Sequence, residues 1–216
     1  MKTMIPNGLF ISFEGPEGAG KSTHIGQLAA FLTELGHEVL TTREPGGTGL
    51  GEELRGLIKH YGGADSVCPE AELLLFGASR SQLFRQVIQP HLQRGGVVIC
   101  DRFADSTTVY QGFGRGLDME FITRMHEFSM AHRWPDLTLL LDVDIETSYS
   151  RMASRTGVPG DRIEAAGRRF HEAVRAGFLE LAKRYPERIR VVDSTQPQAQ
   201  VAAQIRQLTM EKLANA

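Results

Sequence analysis

The stretch from Phe13 to Thr23, FEGPEGAGKST, constrains the fold more than any other part of this sequence. From Gly15 to Ser22 the residues follow the spacing G-x-x-x-x-G-K-S, which is the P-loop pattern. Glycines let such a loop curl so that several backbone N–H groups converge on phosphate oxygens, and the following helix adds a partial positive charge. Lys21 is expected to reach the β- and γ-phosphates, and Ser22 to bind Mg²⁺. The pattern therefore predicts a site for a nucleoside triphosphate.

The flanking sequence places this loop between a strand and a helix, which is the context that the pattern requires. Residues 8–13, GLFISF, are almost all apolar, as in a strand buried on both faces of a parallel sheet. Apolar residues then recur at helical spacing from Ile25 to Leu35. Further strands are predicted at 38–42, 96–101, 137–143 and 189–193, and further helices at 50–58, 69–89, 118–132, 145–153, 163–184 and 197–213. This alternation predicts a parallel α/β sheet with ligand-binding loops at the carboxyl ends of its strands.

Composition bounds the class of protein. A chain of 216 residues can form one domain with a real core, and we expect residues 1–216 to do so. The formal net charge of −2 gives no general reason to expect a nucleic-acid or membrane partner. Cys68 and Cys100 make no disulfide or metal framework, and the N-terminus has no apolar core of signal-peptide length. We therefore expect a reduced, cytoplasmic chain.

Six stretches, in this order, resemble the bacterial thymidylate kinases and together span nearly the whole chain. They are FISFEGPEGAGKST (10–23), TTREPGGT (41–48), LLLFGASR (73–80), DRFADSTTVYQGFGRG (101–116), LTLLLDVD (137–144) and DRIE (161–164). The P-loop alone is shared with many NTPases. REPGG after the second predicted strand and DRF at the end of the third are far more specific.

The resemblance implies a fold, an activity and a set of ligands. The fold is that of a P-loop nucleoside monophosphate kinase, with a five-stranded parallel sheet flanked by helices, a short LID segment at about 151–164 and a homodimer. The activity is transfer of the γ-phosphoryl group of ATP to dTMP, giving dTDP and ADP, with Mg²⁺ as the cofactor. The expected partners are ATP and dTMP, with no nucleic acid and no membrane.

On the ATP side, Asp101 ends an apolar strand, where its carboxylate can reach Mg²⁺ directly or through water. Arg102 resembles the arginine that clamps the acceptor and transferred phosphates in the family. Glu17 resembles a carboxylate that faces the acceptor near the 3′-hydroxyl, which would explain a negative charge in a phosphate-binding loop. The predicted catalytic residues are Lys21, Arg102, Arg155, Asp101 and Glu17, and the metal ligands are Ser22 and Asp101. The predicted ATP-binding residues are Gly15, Pro16, Glu17, Gly18, Ala19, Gly20, Lys21, Ser22, Thr23, Arg151 and Gln196.

On the acceptor side, Phe76 and Arg80 are spaced i, i+4 on a predicted helix and share one of its faces. Spacing alone favours a core Phe and a surface Arg, whereas the resemblance puts Phe76 on the thymine ring and Arg80 on the base edge. Tyr110 is expected against the sugar, where it would crowd a 2′-hydroxyl. The other residues implied for dTMP are Arg43, Pro45, Arg102, Thr107, Thr108 and Gln111. Thr108 departs mildly from the family pattern, which leaves the hydrogen-bond partner of the base open.

The stretch 154–161, SRTGVPGD, breaks the helical pattern with two glycines and a proline and predicts a mobile flap. Because the P-loop contains no arginine, the charge that develops on the transferred phosphoryl group needs another cation besides Lys21. We expect Arg155 to supply it. Arg151 is the second candidate, or else an adenine-stacking residue.

Two other functions fit a P-loop. A deoxynucleoside kinase would place a carboxylate, such as Glu14 or Glu17, beside a sugar hydroxyl as a general base. A P-loop switch or assembly protein would use the nucleotide to set a conformation and would have no second nucleotide pocket. The combination of REPGG, FGASR and DRF favours the phosphorylation of dTMP, whose phosphate is mostly dianionic at neutral pH and needs no strong base.

Overall fold

The computed structural model describes residues 4–63, 66–154 and 167–215. Within them, five parallel strands form one sheet in the order β2-β3-β1-β4-β5. The strands are β1 Leu9–Glu14, β2 Val39–Arg43, β3 Val97–Asp101, β4 Leu137–Asp142 and β5 Ile189–Asp193. The five predicted strands and the parallel α/β class are confirmed, and each strand end lies within one residue of its predicted position.

Helices cover both faces of the sheet. They are α1 Lys21–Glu34, α2 Gly49–His60, α3 Pro69–Leu83, α4 Gln89–Gln93, α5 Ala104–Thr107, α6 Met119–Ser129, α7 Ile145–Ala153, α8 Arg168–Arg184 and α9 Gln198–Leu213. Across the ranges that the structure describes, none of these helices combines the length and apolarity needed to cross a membrane.

The predicted helix 69–89 is less regular than expected. A π-helical turn, Phe84–Ile88, separates α3 from α4, and the N–H of Gln89 bonds to the carbonyl oxygen of Phe84. Pro90 follows at once and has no N–H with which to continue the i to i−4 pattern, so the local hydrogen bonding is rearranged.

The helix over 104–114 was not predicted. Its first turn is α5, and it continues as a π-helical segment, Thr108–Gly114. Serine, threonines, a valine and two glycines give this stretch a low intrinsic helix propensity. Burial of Val109, Tyr110 and Gln111 accompanies the helix, so tertiary packing has overridden local preference.

The hydrophobic core lies on both faces of the sheet, which explains why the strands are almost wholly apolar. On one face, β1, β3 and β4 pack against α1 and α9, with Leu9, Ile11, Phe13, Ile99, Leu139, Leu28, Leu32, Val201 and Ile205 in one cluster. On the other face, the alternate side chains of β1 and β3 pack against α3, the π-helical turn and α4, with Phe10, Val98, Cys100, Leu83, Phe84, Ile88 and Leu92 in a second cluster. Leu140 of β4 packs against α8 through Val174, Phe178 and Leu181.

The sheet brings the chemically important strand ends together. Asp101 at the end of β3 is paired with Phe13 of β1 on one side and with Arg43 of β2 on the other. β1 leads directly into the P-loop, and α1 begins at Lys21. The parallel topology therefore places the P-loop, REPGG and DRF stretches at one edge of the sheet.

Candidate active site

A cavity of about 540 Å³ opens at the carboxyl ends of the strands. Its wall is built from the P-loop, the loop after β2, α3, the end of β3 and the helix over 104–114. The predicted site residues that line it are Glu17, Gly18, Gly20, Lys21, Ser22, Thr23, Arg43, Pro45, Phe76, Arg80, Asp101, Arg102, Thr107, Tyr110 and Gln111. The structure thus brings together the residues that were predicted for two different nucleotides.

The P-loop requires glycine at its first position, where the backbone passes close to β4. Gly15 has a φ of +127°, and a Cβ atom there would lie 2.2 Å from the carbonyl oxygen of Leu141 in β4. Gly20 has a φ of 83° and is the N-cap of α1. The N-terminus of α1 therefore starts at the cavity wall, where its N–H groups and partial positive charge favour an anion.

Lys21 is the buried cation of this loop. Its Nζ atom donates to the carbonyl oxygens of Gly15 at 3.1 Å and Pro16 at 2.9 Å. Burial, reinforced by the positive charge of Arg102, lowers the pKa of Lys21 to about 8. A polyphosphate placed against the loop would favour the charged form again.

Two oxygen donors suited to Mg²⁺ meet at the same place. The Oγ atom of Ser22 donates to Oδ2 of Asp101 at 3.4 Å, across 79 residues of sequence. Among the described residues no cluster of three or more histidine, cysteine, aspartate or glutamate side chains could hold a metal. A pair of ligands fits Mg²⁺, which is usually held by one or two protein groups together with phosphates and water.

The charge of Glu17 is matched by Arg102. The Nη2 atom of Arg102 donates to Oε1 of Glu17 at 2.6 Å, and its Nη1 atom donates to Oγ of Ser106 at 3.1 Å. The guanidinium carbon also lies 5.2 Å from the centre of the Tyr110 ring. The loop carboxylate therefore holds an arginine at the junction between the P-loop and the rest of the cavity.

A second carboxylate, Glu14, lies below that arginine and is fully buried. It accepts hydrogen bonds from the backbone N–H of Phe103 at 2.7 Å and from Oγ of Ser106 at 2.5 Å. Burial and the nearby charge of Asp105 raise the pKa of Glu14 to about 8. Glu14 and Ser106 therefore form a layer beneath Arg102.

Arg80 is fully buried, so the interpretation of its spacing as a surface arginine is wrong. Its Nε and Nη2 atoms donate to Oε2 of Glu44 at 3.0 and 2.6 Å. Nη2 also donates to Oγ1 of Thr107 at 2.7 Å, and Nη1 to Nδ1 of His126 at 3.0 Å. Four of the five N–H groups of a guanidinium are thereby used, and Arg80 lies on the cavity wall beside Phe76.

The helix over 104–114 supplies the remaining acceptor-side residues. Gln111 is buried on the wall, and its Nε2 atom donates to Oε1 of Glu72 at 2.8 Å. Burial raises the pKa of Tyr110 to about 12, so its hydroxyl remains a donor at neutral pH. Thr108 differs from expectation: within the described chain it is not on the wall, and its hydroxyl bonds to the carbonyl of Ala104 and to His126. The reason is helical geometry, which turns Thr108 inward when Thr107 and Gln111 face the cavity.

Arg43 and Arg151 lie at opposite sides of the P-loop. Arg43 is half-exposed on the wall and pairs with Glu52 at 2.9 Å. Arg151 donates to the carbonyl oxygens of Gly18 at 3.2 Å and Ser194 at 3.0 Å, so it joins the P-loop to the loop after β5. Gln196, in that same loop, donates to Asp193 at 2.8 Å. Arg155 lies outside the described residues, and its role stays a prediction.

A family model for thymidylate kinase matches residues 13–205. The chain belongs to the thymidylate kinase family. The thymidylate kinase of Desulfosudis oleivorans is 45% identical over 202 residues, covering 91% of this chain and 94% of that protein. That of Pseudomonas syringae pv. tomato is 48% identical over 206 residues, covering 95% and 97%. A crystal structure of thymidylate kinase from Ehrlichia chaffeensis matches with a TM-score of 0.75 at 34% identity, covering 94% of this chain and 99% of that one.

In this member of the thymidylate kinase family, the sequence interpretation missed one buried residue on the cavity wall, Glu44, and two buried residues behind it, Glu72 and His126. Glu44, Glu72 and His126 are buried and bond to Arg80 or Gln111. Glu44 could have been suspected, because it stands inside the REPGG stretch. Glu72 and His126 had no local signal, since their partners lie 39 and 46 residues away.

Proposed function

We propose that this member of the thymidylate kinase family transfers the γ-phosphoryl group of ATP to dTMP, giving ADP and dTDP. The observation that carries the proposal is one cavity that joins the P-loop to a second wall with an aromatic ring, a guanidinium and an amide. A P-loop by itself would serve any NTPase. A wall suited to a nucleobase, within reach of the same loop, is what a kinase of nucleotides requires.

On the ATP side, the backbone of the P-loop and Lys21 would hold the β- and γ-phosphates. Ser22 and Asp101 are the proposed ligands of Mg²⁺, supported by the approach of their oxygens to 3.4 Å. When bound, Mg²⁺ would offset the negative charge that gathers on the phosphates. Arg151 and Gln196 would lie on the adenine side, because Arg151 contacts both the P-loop and the loop after β5.

Between the nucleotides, Arg102 would neutralise the acceptor and transferred phosphates. Its contact with Glu17 supports this role, because the carboxylate orients the guanidinium without occupying all five of its N–H groups. Arg43, which also lines the cavity, would bind the acceptor phosphate as well. Arg155 is proposed as the further cation that stabilises the transferred phosphoryl group.

At the base end, Phe76 would stack on the ring, and Pro45 would border it. Gln111 and Arg80 would read its edge: the Oε1 atom of Gln111 has no hydrogen-bond partner among the described residues, and one N–H of Arg80 is not used by the contacts described above. Thymine offers a ring N–H, which matches the Gln111 oxygen, and carbonyl oxygens, which match the N–H of Arg80. Thr107 would act through Arg80, and we propose an indirect role of the same kind for Thr108 through His126.

A deoxynucleoside kinase has less support. It would need a carboxylate available as a base beside a sugar hydroxyl. Glu14 is buried and bonded to Phe103 and Ser106, and Glu17 is paired with Arg102. Neither arrangement favours proton abstraction from a neutral hydroxyl.

The test is a panel of acceptors. Purified protein with Mg²⁺ and ATP is incubated with dTMP, dUMP, dCMP, ribo-UMP, thymidine or no acceptor, and ADP and the phosphorylated product are quantified. We expect dTDP in equal amount to ADP. Ribo-UMP should be used much more slowly than dUMP, because the proposed position of Tyr110 would crowd a 2′-hydroxyl. ADP release that does not depend on the acceptor, or a preference for thymidine, would contradict the proposal.

We also propose a homodimer that pairs through α3 and α6. Phe128 is 80% exposed, and Phe121, seven residues earlier, lies on the same face of α6. Leu74 of the adjacent α3 is also exposed. Grouped exposed apolar side chains favour a protein partner over solvent.

We further propose a cytoplasmic location and a single domain over 1–216. The two cysteines, Cys68 and Cys100, are both free thiols, which suits a reducing compartment.

A further inference from the structure

A buried carboxylate, Glu72, lies behind the part of the wall that would read the base. Glu72, Phe76 and Arg80 are spaced four residues apart on α3, so they lie along one face of that helix. Phe76 and Arg80 line the cavity, whereas Glu72 is not among the described residues that do so. The phosphoryl transfer proposed above does not use this carboxylate.

Glu72 is bonded to Gln111, the one side-chain amide among the described residues of the wall. Its Oε1 atom accepts from Nε2 of Gln111 at 2.8 Å, and both residues are about 1% exposed. The other end of that amide, Oε1 of Gln111, has no hydrogen-bond partner in the ranges that the structure describes. Buried acceptors are rarely left unpaired, so this oxygen indicates where a donor group of a ligand belongs.

The carboxylate decides which end of the amide is left without a partner among the described residues. A glutamine amide has two orientations that exchange its oxygen and its NH₂ group. A carboxylate can only accept, so only the orientation with Nε2 toward Glu72 makes a hydrogen bond. The reverse orientation would bring two acceptor oxygens together and would leave the NH₂ group as the end available to a ligand.

A cation, Arg115, lies near the same carboxylate. The Nε atom of Arg115 lies 3.5 Å from the same oxygen of Glu72. The charge of the carboxylate therefore has a partner, while its hydrogen bond to Gln111 is kept.

We propose that Glu72 is a positioning residue that holds the acceptor end of the Gln111 amide in the cavity and so selects bases that carry N–H at ring position 3. The inference rests on the proposed use of dTMP. Thymine and uracil carry that N–H, whereas cytosine has a bare nitrogen acceptor at the same position. Cytosine would therefore set an acceptor against the Gln111 oxygen.

The experiment compares wild type with Glu72→Gln and measures kcat/KM for dTMP, dUMP and dCMP. A glutamine at position 72 can accept from or donate to Gln111, so both orientations of the Gln111 amide become satisfied. We expect the ratio of kcat/KM for dTMP over dCMP to fall roughly ten- to a hundredfold, the range for a buried polar mismatch. The ratio for dTMP over dUMP should stay the same, because both bases have the N–H.

Glu70→Gln is the matched control, since it makes the same change at an exposed position of α3. It should leave both ratios unchanged. In a Gln111→Met background, Glu72→Gln should lose its effect on the dTMP to dCMP ratio, because the amide is gone. If Glu72→Gln fails to fold, Glu72→Asp keeps the charge but withdraws the oxygen from Gln111, and the same fall in the ratio is expected.

The outcomes separate two failures. If wild type prefers dTMP and the folded Glu72 variants keep its ratio of dTMP to dCMP, the role of Glu72 is wrong while the proposed function stands. If the variants lower turnover with all three acceptors equally, Glu72 is only structural, and the inference is also overturned. If wild type phosphorylates no nucleoside monophosphate, the proposed function fails and this inference fails with it.

Discussion

At the scale of single residues, the protonation of each charged group at the P-loop depends on the charges of its neighbours. Lys21 lies among Arg102, Glu17 and Asp101, and its pKa is lowered to about 8, first by burial and then by Arg102. Much of Lys21 is therefore neutral in the free protein at pH 8.5. The phosphates of ATP favour the charged form, so binding must be coupled to a proton.

We expect binding of Mg²⁺-ATP at pH 8.5 to take up roughly 0.5 to 0.8 proton at Lys21. The uptake is measured by isothermal titration calorimetry in two buffers of different ionisation enthalpy. It should vanish at pH 6.5, where Lys21 is already charged. Lys21→Arg is the control, because its guanidinium stays charged; equal uptake by this variant at pH 8.5 would contradict the assignment.

Arg151 and Arg155 both come from the segment predicted to form the LID. Arg151 is already bonded to Gly18 and Ser194, which leaves Arg155 as the proposed cation for the transferred group. We expect Arg155→Ala to lower kcat roughly 10³-fold or more, as for other arginines that act on a transferred phosphoryl group. The KM for dTMP should change little. Steady-state kinetics measure both, and Arg169→Ala, at an exposed position of α8, is the control.

Near wild-type turnover in Arg155→Ala would reject that role. If Arg151→Ala weakens ATP binding but leaves kcat unchanged, Arg151 acts on the adenine side alone.

The types of residue at the site could be predicted from the sequence, but the burial and orientation of their side chains could not. The P-loop pattern identifies Lys21 and Ser22 because the motif carries its own geometry. The burial of Arg80 depends on Glu44 and His126, which lie 36 and 46 residues away. The inward turn of Thr108 depends on a helix that its own propensities do not favour. Contacts between distant parts of the chain decided both cases.

At the scale of elements, the strands were predictable because burial on both faces makes them continuous apolar runs. The helix over 104–114 was not, since it departs from the local preference of its residues, and the π-helical turn after α3 was not predicted although Pro90 lies just beyond it. The P-loop lies between these extremes. The motif itself predicts its glycines, but the close contact that requires Gly15, with the carbonyl oxygen of Leu141 in β4, exists only in the folded sheet.

Gly15→Ala tests that requirement. The added Cβ would meet the Leu141 carbonyl at 2.2 Å, at a φ that side chains rarely adopt. We expect the free energy of unfolding to fall by roughly 2 to 4 kcal/mol and ATP affinity to fall sharply. Urea denaturation and calorimetric titration measure the two effects.

Gly56→Ala provides the opposite case on an exposed turn of α2, where a Cβ would meet nothing within 4 Å. Alanine there should raise the free energy of unfolding by about 0.5 to 1 kcal/mol, because glycine in a helix interior is unfavourable. If Gly15→Ala binds ATP as tightly as wild type does, glycine at position 15 is not required for the loop to bind phosphates.

At the scale of the whole molecule, α6 has one buried side and one exposed apolar side. Ile122, His126 and Ser129 are buried, and His126 reaches Arg80 in the cavity. Phe121 and Phe128 are exposed on the opposite side. One helix therefore supports the wall proposed to read the base, and it also presents the apolar surface that the proposed dimer would bury.

We expect wild type to be a dimer at micromolar concentration and Phe128→Asp to dissociate at least a hundredfold more readily. In a two-fold symmetric interface the change removes two copies of the side chain, each worth roughly 1.5 to 3 kcal/mol when buried, and adds two carboxylates. Sedimentation velocity over a range of concentrations measures the dissociation. Met210→Asp, at an exposed position of α9, makes a comparable change away from α6 and should remain dimeric. A monomeric wild type, or a Phe128→Asp variant that associates as wild type does, would remove the pairing through α3 and α6.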